Sequence, residues 1–458
     1  LFADATAEMK FPYRHQENNY YDFNREPLMP FKMSDEGPAL AVGDVNSDGL
    51  DDFYVGGAKW KSGGLFVQRP DGTFAAGGNE AVFQADSVFE DVDAAFFDAD
   101  GDRDLDLYVV SGGNEFYGQM AELFDRLYLN DGKGNFTRGR ENLPPMYANK
   151  SCVRPTDFDR DGDLDLFVGG RVVGYAYGMI PESYLLVNDG KGQFTDQTDK
   201  LAPGLRKAGM VTDAVWADFD QDKDIDLLMV GDWMSPTLFE NQNGKLSVLS
   251  LTFAAENGET PNAKREILNG FWQAVAAGDF DRDGDVDLMA GNLGTNTKLR
   301  KSGSSSALKM YVKDMDRNQS IEQIIAYKRD EDWFVLASKE ELGKQIPSIV
   351  NRRFTDYKAF AGKTFGQVFS EKDLDSAEVR QVDKFESVWL ENTGKGKFRV
   401  HDLPMLAQVS KVYSFLVEDL NADGHLDVLL GGNLTGVNTY QGRYDGSYGL
   451  LLAGNGQG

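Results

Sequence analysis

The chain has 458 residues, 41% hydrophobic and 26% charged, enough to bury a sizeable core. Its 74 acidic against 47 basic side chains leave a net charge of −27, which repels nucleic acid and anionic lipid and argues against either as a partner. The single cysteine, Cys152, rules out an intramolecular disulfide, and no apolar run approaches the ~20 residues of a membrane helix.

Residues 1–38 read as an N-terminal extension opening on Leu1-Phe-Ala-Asp-Ala-Thr6, a run that matches Phe194-Thr-Asp-Gln-Thr198 further on. The start at Leu1, without Met or a signal peptide, fits a processed or excised piece. From Asp44 onward one pattern recurs: an apolar strand, then D-x-[DN]-x-[DN]-x-x-x-[DE], then another apolar strand. Positions 1, 3, 5, 7 and 9 are Asp44, Asn46, Asp48, Leu50 and Asp52 in the first copy. They are Asp98, Asp100, Asp102, Asp104 and Asp106 in the second, and Asp157, Asp159, Asp161, Asp163 and Asp165 in the third. The fourth carries Asp218, Asp220, Asp222, Asp224 and Asp226; the fifth carries Asp279, Asp281, Asp283, Asp285 and Asp287. A related but differently placed copy has Asp314, Asp316, Asn318, Ser320 and Glu322. The last has Asp419, Asn421, Asp423, His425 and Asp427.

Most copies are followed by a strand and a Gly-rich turn, as in Leu127-Tyr-Leu-Asn-Asp-Gly-Lys-Gly-Asn-Phe136 and Leu185-Leu-Val-Asn-Asp-Gly-Lys-Gly-Gln-Phe194. Asn-Asp-Gly and Gly-Lys-Gly are hairpin-turn chemistry, because Gly and Asn accept positive φ. Each unit thus reads as four antiparallel strands, the blade of a propeller. The spacing of the loops predicts an all-β fold, a single seven-bladed β-propeller spanning 1–458. Leu1–Thr6 would supply the strand that closes the ring. The Asp314 copy is expected to replace a Gly turn late in blade five. Blade six would then begin near Trp333, lack an acidic loop and carry a partly helical insertion over 338–386.

Alternating oxygen-bearing residues on a tight turn suit Ca²⁺, a hard cation that takes 6–8 oxygens. Position 7 would contribute a main-chain carbonyl, which explains why Leu50 and His425 are tolerated there. An EF-hand needs Glu at position 12, where this chain has Val55, Val109, Val168, Met229, Ala290 and Leu430. Zinc is disfavoured, since His15, His401 and His425 are the only histidines. Four or five clustered carboxylates repel one another strongly without a cation. Six or seven structural Ca²⁺ sites are therefore expected, weaker where Arg103 and Lys223 replace the position-6 Gly.

With the loops and the Gly-Lys-Gly turns in hand, the chain resembles the FG-GAP/VCBS repeat family, which includes the propeller of integrin α subunits. The runs Asp22–Pro30 and Glu36–Asp44 look like a bacterial branch often associated with an ASPIC/UnbV domain. No such domain is present here, so the resemblance implies a propeller cut from a longer surface or secreted protein. It also implies calcium-ligand roles for the acids above.

Extracellular calcium modules typically bind at ~10⁻⁴–10⁻³ M, which predicts an extracytoplasmic home: periplasm, cell surface or medium. The expected function is a non-catalytic, monomeric module recognising a protein or a carbohydrate through the long loops opposite the acidic ones. Tyr117, Tyr175, Tyr177, Trp233, Tyr440 and Tyr444 are the candidate contacts. The alternatives are a polysaccharide-acting enzyme using Glu115, Asp125, Glu182 or Asp232, or a rigid spacer domain.

Overall fold

Every acidic loop closes two antiparallel strands in the same register. The residue before position 1 pairs with the acid at position 9: Gly43 with Asp52, Phe97 with Asp106, Thr156 with Asp165, and Ala217 with Asp226. Gly278 with Asp287, Lys313 with Glu322, and Glu418 with Asp427 complete the set. The computed structural model describes residues 11, 13–255, 265–299, 308–438 and 441–456. Within them lie seven separate sheets of three to six strands, antiparallel apart from one parallel pair, Thr252–Ala255 with Lys397–Asp402.

The described residues form two compact units, the first within 1–21, 33–174 and 181–207, the second within 22–32, 175–180 and 208–458. The first unit holds three four-stranded sheets, each in chain order. The second strands of the second and third sheets, Asp106–Ser111 and Asp165–Val172, are buried along their whole length. The period of two decides which way each side chain packs. Leu107 and Val109 join Tyr54, Leu65 and Tyr128 against the first sheet. Their neighbours Tyr108 and Val110 join Val153, Leu166 and Val168 against the third. Cys152 is buried in this unit.

The second unit holds four sheets. In the fifth sheet, Leu288 and Ala290 pack with Leu228 and Val230 of the fourth, while Met289 points to the other side with Val428 and Leu430 of the seventh. The sixth sheet has its own core. Ile324 and Ala326 pack under Leu342, Ile346, Val350 and Phe365, contributed by short helices between Lys339 and Leu374. Ser338 starts the first of these helices in a reciprocal capping box with Glu341.

The seven-bladed ring expected from the loop spacing is not the observed architecture: among the described residues no sheet closes on itself, and the sheets are not seven tandem four-stranded units. The 140 residues after Asp279 do not hold two repeats in succession. Strands Ala274–Gly278 and Asp287–Gly291 pair onward with Val388–Asn392 and Lys397–Asp402, and the whole sixth sheet, Leu308–Val382, is inserted between them. The Asp314 loop therefore joins the first two strands of its own sheet instead of replacing a Gly turn. Trp333 lies in that sheet's third strand, and Glu378–Val382 returns to pair beside Leu308–Lys313. The seventh sheet has three strands among the described residues, and Leu1–Thr6, the expected closing strand, lies outside them.

Candidate metal centres

The loops share one hydrogen-bonded framework. In all seven, one oxygen of the first Asp accepts the backbone N–H of position 6, at 2.8–3.2 Å. In all seven, the side chain at position 5 accepts the N–H of position 7. These bonds need a left-handed backbone at positions 4 and 6. Position 4 takes φ of 59–66° at Ser47, Arg160, Gln221, Arg282, Arg317 and Ala422, and 81° at Gly101. At position 6, Arg103 (76°), Gln319 (73°) and Lys223 (80°) take nearly the same conformation as Gly49 (84°) and Gly424 (85°). The framework thus overrides the residue's own preference. Arg103 and Lys223 leave the loop's shape unchanged.

The acid at position 9 ties the loop to the sheet. Asp106 accepts Ala99 N–H with one oxygen (2.9 Å) and Asn130 N–H, just past the third strand Arg126–Leu129, with the other (2.8 Å). Asp226 and Asp287 repeat this with Phe219 and Asn241, and with Phe280 and Asn392. Asp52 and Asp427 do so with Val45 and Gln68, and with Leu420 and Gly454.

With the outward oxygens engaged by N–H groups, the inner ones converge. In five loops, three carboxylates offer oxygens within 4.8 Å of one another. The groups are Asp98, Asp100 and Asp106; Asp157, Asp159 and Asp165; Asp218, Asp220 and Asp226; Asp279, Asp281 and Asp283; and Asp314, Asp316 and Glu322. Several of these oxygens are buried without a hydrogen-bond partner: Oδ1 of Asp100, Asp157, Asp218, Asp279 and Asp316, Oδ2 of Asp165 and Oε1 of Glu322. A buried anionic oxygen with no donor is costly unless a cation faces it. The donor set is all oxygen, as hard divalent cations require. These residues therefore fit a metal ion such as Ca²⁺. The first and last loops keep the framework, but Asn46 and Asn421 replace one carboxylate, so neither forms a three-acid group. The Asp314 loop is a full member of the set.

The electrostatics agree with this picture. Burial, then repulsion from neighbouring acids, pushes Asp104 and Asp163 up to about 6. Burial likewise raises Asp106, Asp226, Asp287 and Glu322 to about 7 and Asp165 to about 8. At exposed Asp423 the sign reverses, because the His425 N–H holds its carboxyl below the usual range.

The asparagine that opens three of the Gly turns has a larger part than turn formation. Asn188 Nδ2 donates to Leu164 O in its own loop and to Ala99 O in the loop of the preceding sheet. Asn130 reaches Leu105 O and Val45 O in the same way, and Asn392 reaches Val286 O and Phe219 O. Each locks an acidic loop to its neighbour. The recurring Asn in the sequence was the available signal, but turn chemistry alone accounted for it.

The aromatic candidates separate. Tyr117 and Tyr175 are 49% and 41% exposed, and the Arg25 guanidinium lies 3.3 Å over the Tyr175 ring. Tyr177, Trp233 and Tyr444 are buried and cannot serve as surface contacts. Trp233 Nε1 donates to the Tyr177 hydroxyl at 2.8 Å, and the Tyr444 hydroxyl pairs with Thr297. Tyr440 lies outside the described residues. Of the candidate acids, Glu115 is paired with Lys59 (2.7 Å), and Asp125 accepts from the Tyr108 hydroxyl beside buried Lys150. Asp232 is buried 3.8 Å from Lys411 Nζ, and Glu182 is half-exposed near Lys207.

A family model described as an FG-GAP-like repeat matches residues 98–168 and 218–290, segments that contain four of the seven loops. The chain matches no curated protein sequence. Among solved structures it is similar to the V. cholerae biofilm matrix protein Bap1, at 11% identity and a TM-score of 0.33 over 97% of this chain and 83% of that one. It is also similar to a fructosyltransferase from A. japonicus, at 11% identity and a TM-score of 0.29 over 69% of this chain and 68% of that one. Scores this low carry no argument about fold or function. Among the described residues no helix is long and apolar enough to cross a membrane.

Proposed function

For a chain that carries FG-GAP-like repeats, we propose a calcium-stapled recognition module that works outside the cytoplasm and performs no catalysis. The observation that carries the reading is the row of partnerless inner carboxylate oxygens within the shared hydrogen-bonded loop framework. Asp98, Asp100 and Asp106, and their counterparts in the other loops, would hold the ions. Bound calcium would supply the positive charge these oxygens face. The protein's own residues position them through the N–H bonds to positions 1, 5 and 9.

An extracytoplasmic setting suits the reading, since the oxygen-only sites of extracellular modules typically bind calcium at ~10⁻⁴–10⁻³ M, well above cytosolic free calcium. The net charge of −27 disfavours nucleic acid and anionic membranes as partners and leaves a protein or a carbohydrate. The non-catalytic reading is supported by the placement of three candidate acids, Glu115, Asp125 and Asp232, in buried pairs with lysines.

Thermal unfolding in millimolar calcium against excess chelator tests the staple. One site at ten times its Kd contributes about 1.4 kcal/mol, so several together should raise the Tm by about 10 °C or more. Magnesium, which demands tighter octahedral geometry, should do much less. Coincident melting curves in calcium and chelator would refute the reading.

A further inference from the structure

Tyr117 and Tyr147 leave large parts of their rings open to solvent, 49% and 41%. Both line one pocket of about 390 Å³ in the first unit, together with Asn149, Glu182, Arg206 and Lys207. That volume falls within the roughly 300–1,000 Å³ of small-molecule sites. No acidic-loop residue lines it.

The walls are held in place. A Cβ on Gly174 would meet the Phe116 carbonyl oxygen at 2.5 Å, and Asn149 Nδ2 donates to that same carbonyl at 3.1 Å. Glycine at 174 and the asparagine together fix the backbone from which Tyr117 projects. The Tyr147 ring rests on Phe124, centroids 5.0 Å apart. Arg206 is clamped by Asp196 and Asp199 at 2.8–3.1 Å and lies 5.4 Å over the Tyr184 ring. Glu182 accepts from the Tyr184 hydroxyl (3.3 Å) and sits 3.5 Å from Lys207 Nζ. Asn149 is 2% exposed, and its Oδ1 has no hydrogen-bond partner.

This combination selects a ligand chemistry. Open, rigid tyrosine rings offer stacking area at little entropic cost, because each has only two side-chain torsions. Beside them the lining carries two acids, Glu182 and Asp196, and two bases, Arg206 and Lys207, so the polar lining is balanced and favours an uncharged partner over a phosphate or a carboxylate. A pyranose has a C–H face that packs on an aromatic ring and hydroxyls that bond carboxylate, ammonium and amide at once. We propose that this pocket binds the neutral pyranose end of a glycan. The inference rests on reading the chain as a recognition module and supplies that module's ligand class and site.

Saturation-transfer NMR on the full chain in calcium tests it. The probes are methyl α-mannopyranoside, methyl β-galactopyranoside, methyl β-glucopyranoside and N-acetylglucosamine. At least one should receive saturation, strongest at its ring C–H protons. Its affinity should fall about tenfold or more in Tyr117→Ala and in Tyr147→Ala, a loss of about 1.4 kcal/mol, and should also weaken in Glu182→Gln. No transfer to any probe, or transfer equal in the wild type and both tyrosine variants, overturns the proposal. The calcium-dependent rise in Tm is recorded on the same samples. If it persists while sugar binding is absent, the pocket falls and the calcium staple stands. If sugar binds without it, the reverse holds.

Discussion

Position 6 of the acidic loop shows how strongly a hydrogen-bonded frame can constrain one residue. Arg103, Lys223 and Gln319 sit at φ of 73–80°, where a side chain costs roughly 1–2 kcal/mol relative to glycine. The N–H of each is held by the first Asp of its loop, at 2.9–3.0 Å. Replacing Lys223 by Gly relieves that strain, offset in part by the larger entropy glycine loses on folding, roughly 0.5–1 kcal/mol. Lys223→Gly should therefore stabilise the protein by about 0.5–1 kcal/mol in urea unfolding, with no change in calcium stoichiometry. Destabilisation would mean that the lysine side chain contributes more than its backbone costs. The residues of the loops were legible in the sequence because their chemistry is local: five alternating positions define both the turn and its oxygens. The fate of Tyr177, Trp233 and Tyr444 was not legible, since burial depends on what packs against them from distant segments.

The loop as an element links proton binding to strand pairing, and a bound metal would act on both. Without metal, its acids titrate high in the folded state: about 7 for Asp106, Asp226, Asp287 and Glu322, and about 8 for Asp165. An unfolded aspartate titrates near ~3.9. A carboxyl raised in this way holds its proton more tightly when folded. Its contribution favours folding at low pH and is lost as pH rises through the interval between the two values. Metal-free protein should thus lose stability from about pH 4 to about pH 8. Bound calcium would supply the compensating charge and should flatten that decline. Buried Glu90, raised to about 9, shares the direction but lies outside the loops, so it affects both conditions equally. Melting temperatures across pH, in chelator and in calcium, check this: the two curves should diverge with rising pH. Parallel curves would dissociate the acids from the metal. That each loop lies between two apolar strands was readable from the repeat, but the register, position 9 opposite the residue before position 1, was not, and the Asp314 loop was expected in place of a Gly turn. The role of position 9 as the tie to the third strand was not readable either, because its partners Asn130, Asn241 and Asn392 are 15 to 105 residues away.

Across the whole molecule, neighbouring sheets within each unit are joined by apolar layers and by the asparagine clamps. In the first unit Asn130 and Asn188 carry each loop to the one before it, so ordering one loop helps to order the next. Architecture was the least legible level. Nothing in Asp287–Gly291 announces that its next partner is Val388–Asn392, beyond an inserted sheet and its helices. Repeat spacing treats chain distance as if it were spatial order, and insertion of the Leu308–Val382 sheet breaks that equivalence. The loop framework survives the insertion unchanged, Asp314 and Glu322 included.

The account depends on these loops being cation sites, and calcium stoichiometry by flow dialysis measures that without reference to stability or ligand. In millimolar calcium the full chain should bind at least five ions, one for each three-carboxylate group, and up to seven if the loops carrying Asn46 and Asn421 also fill. Binding of less than one ion per chain would contradict it.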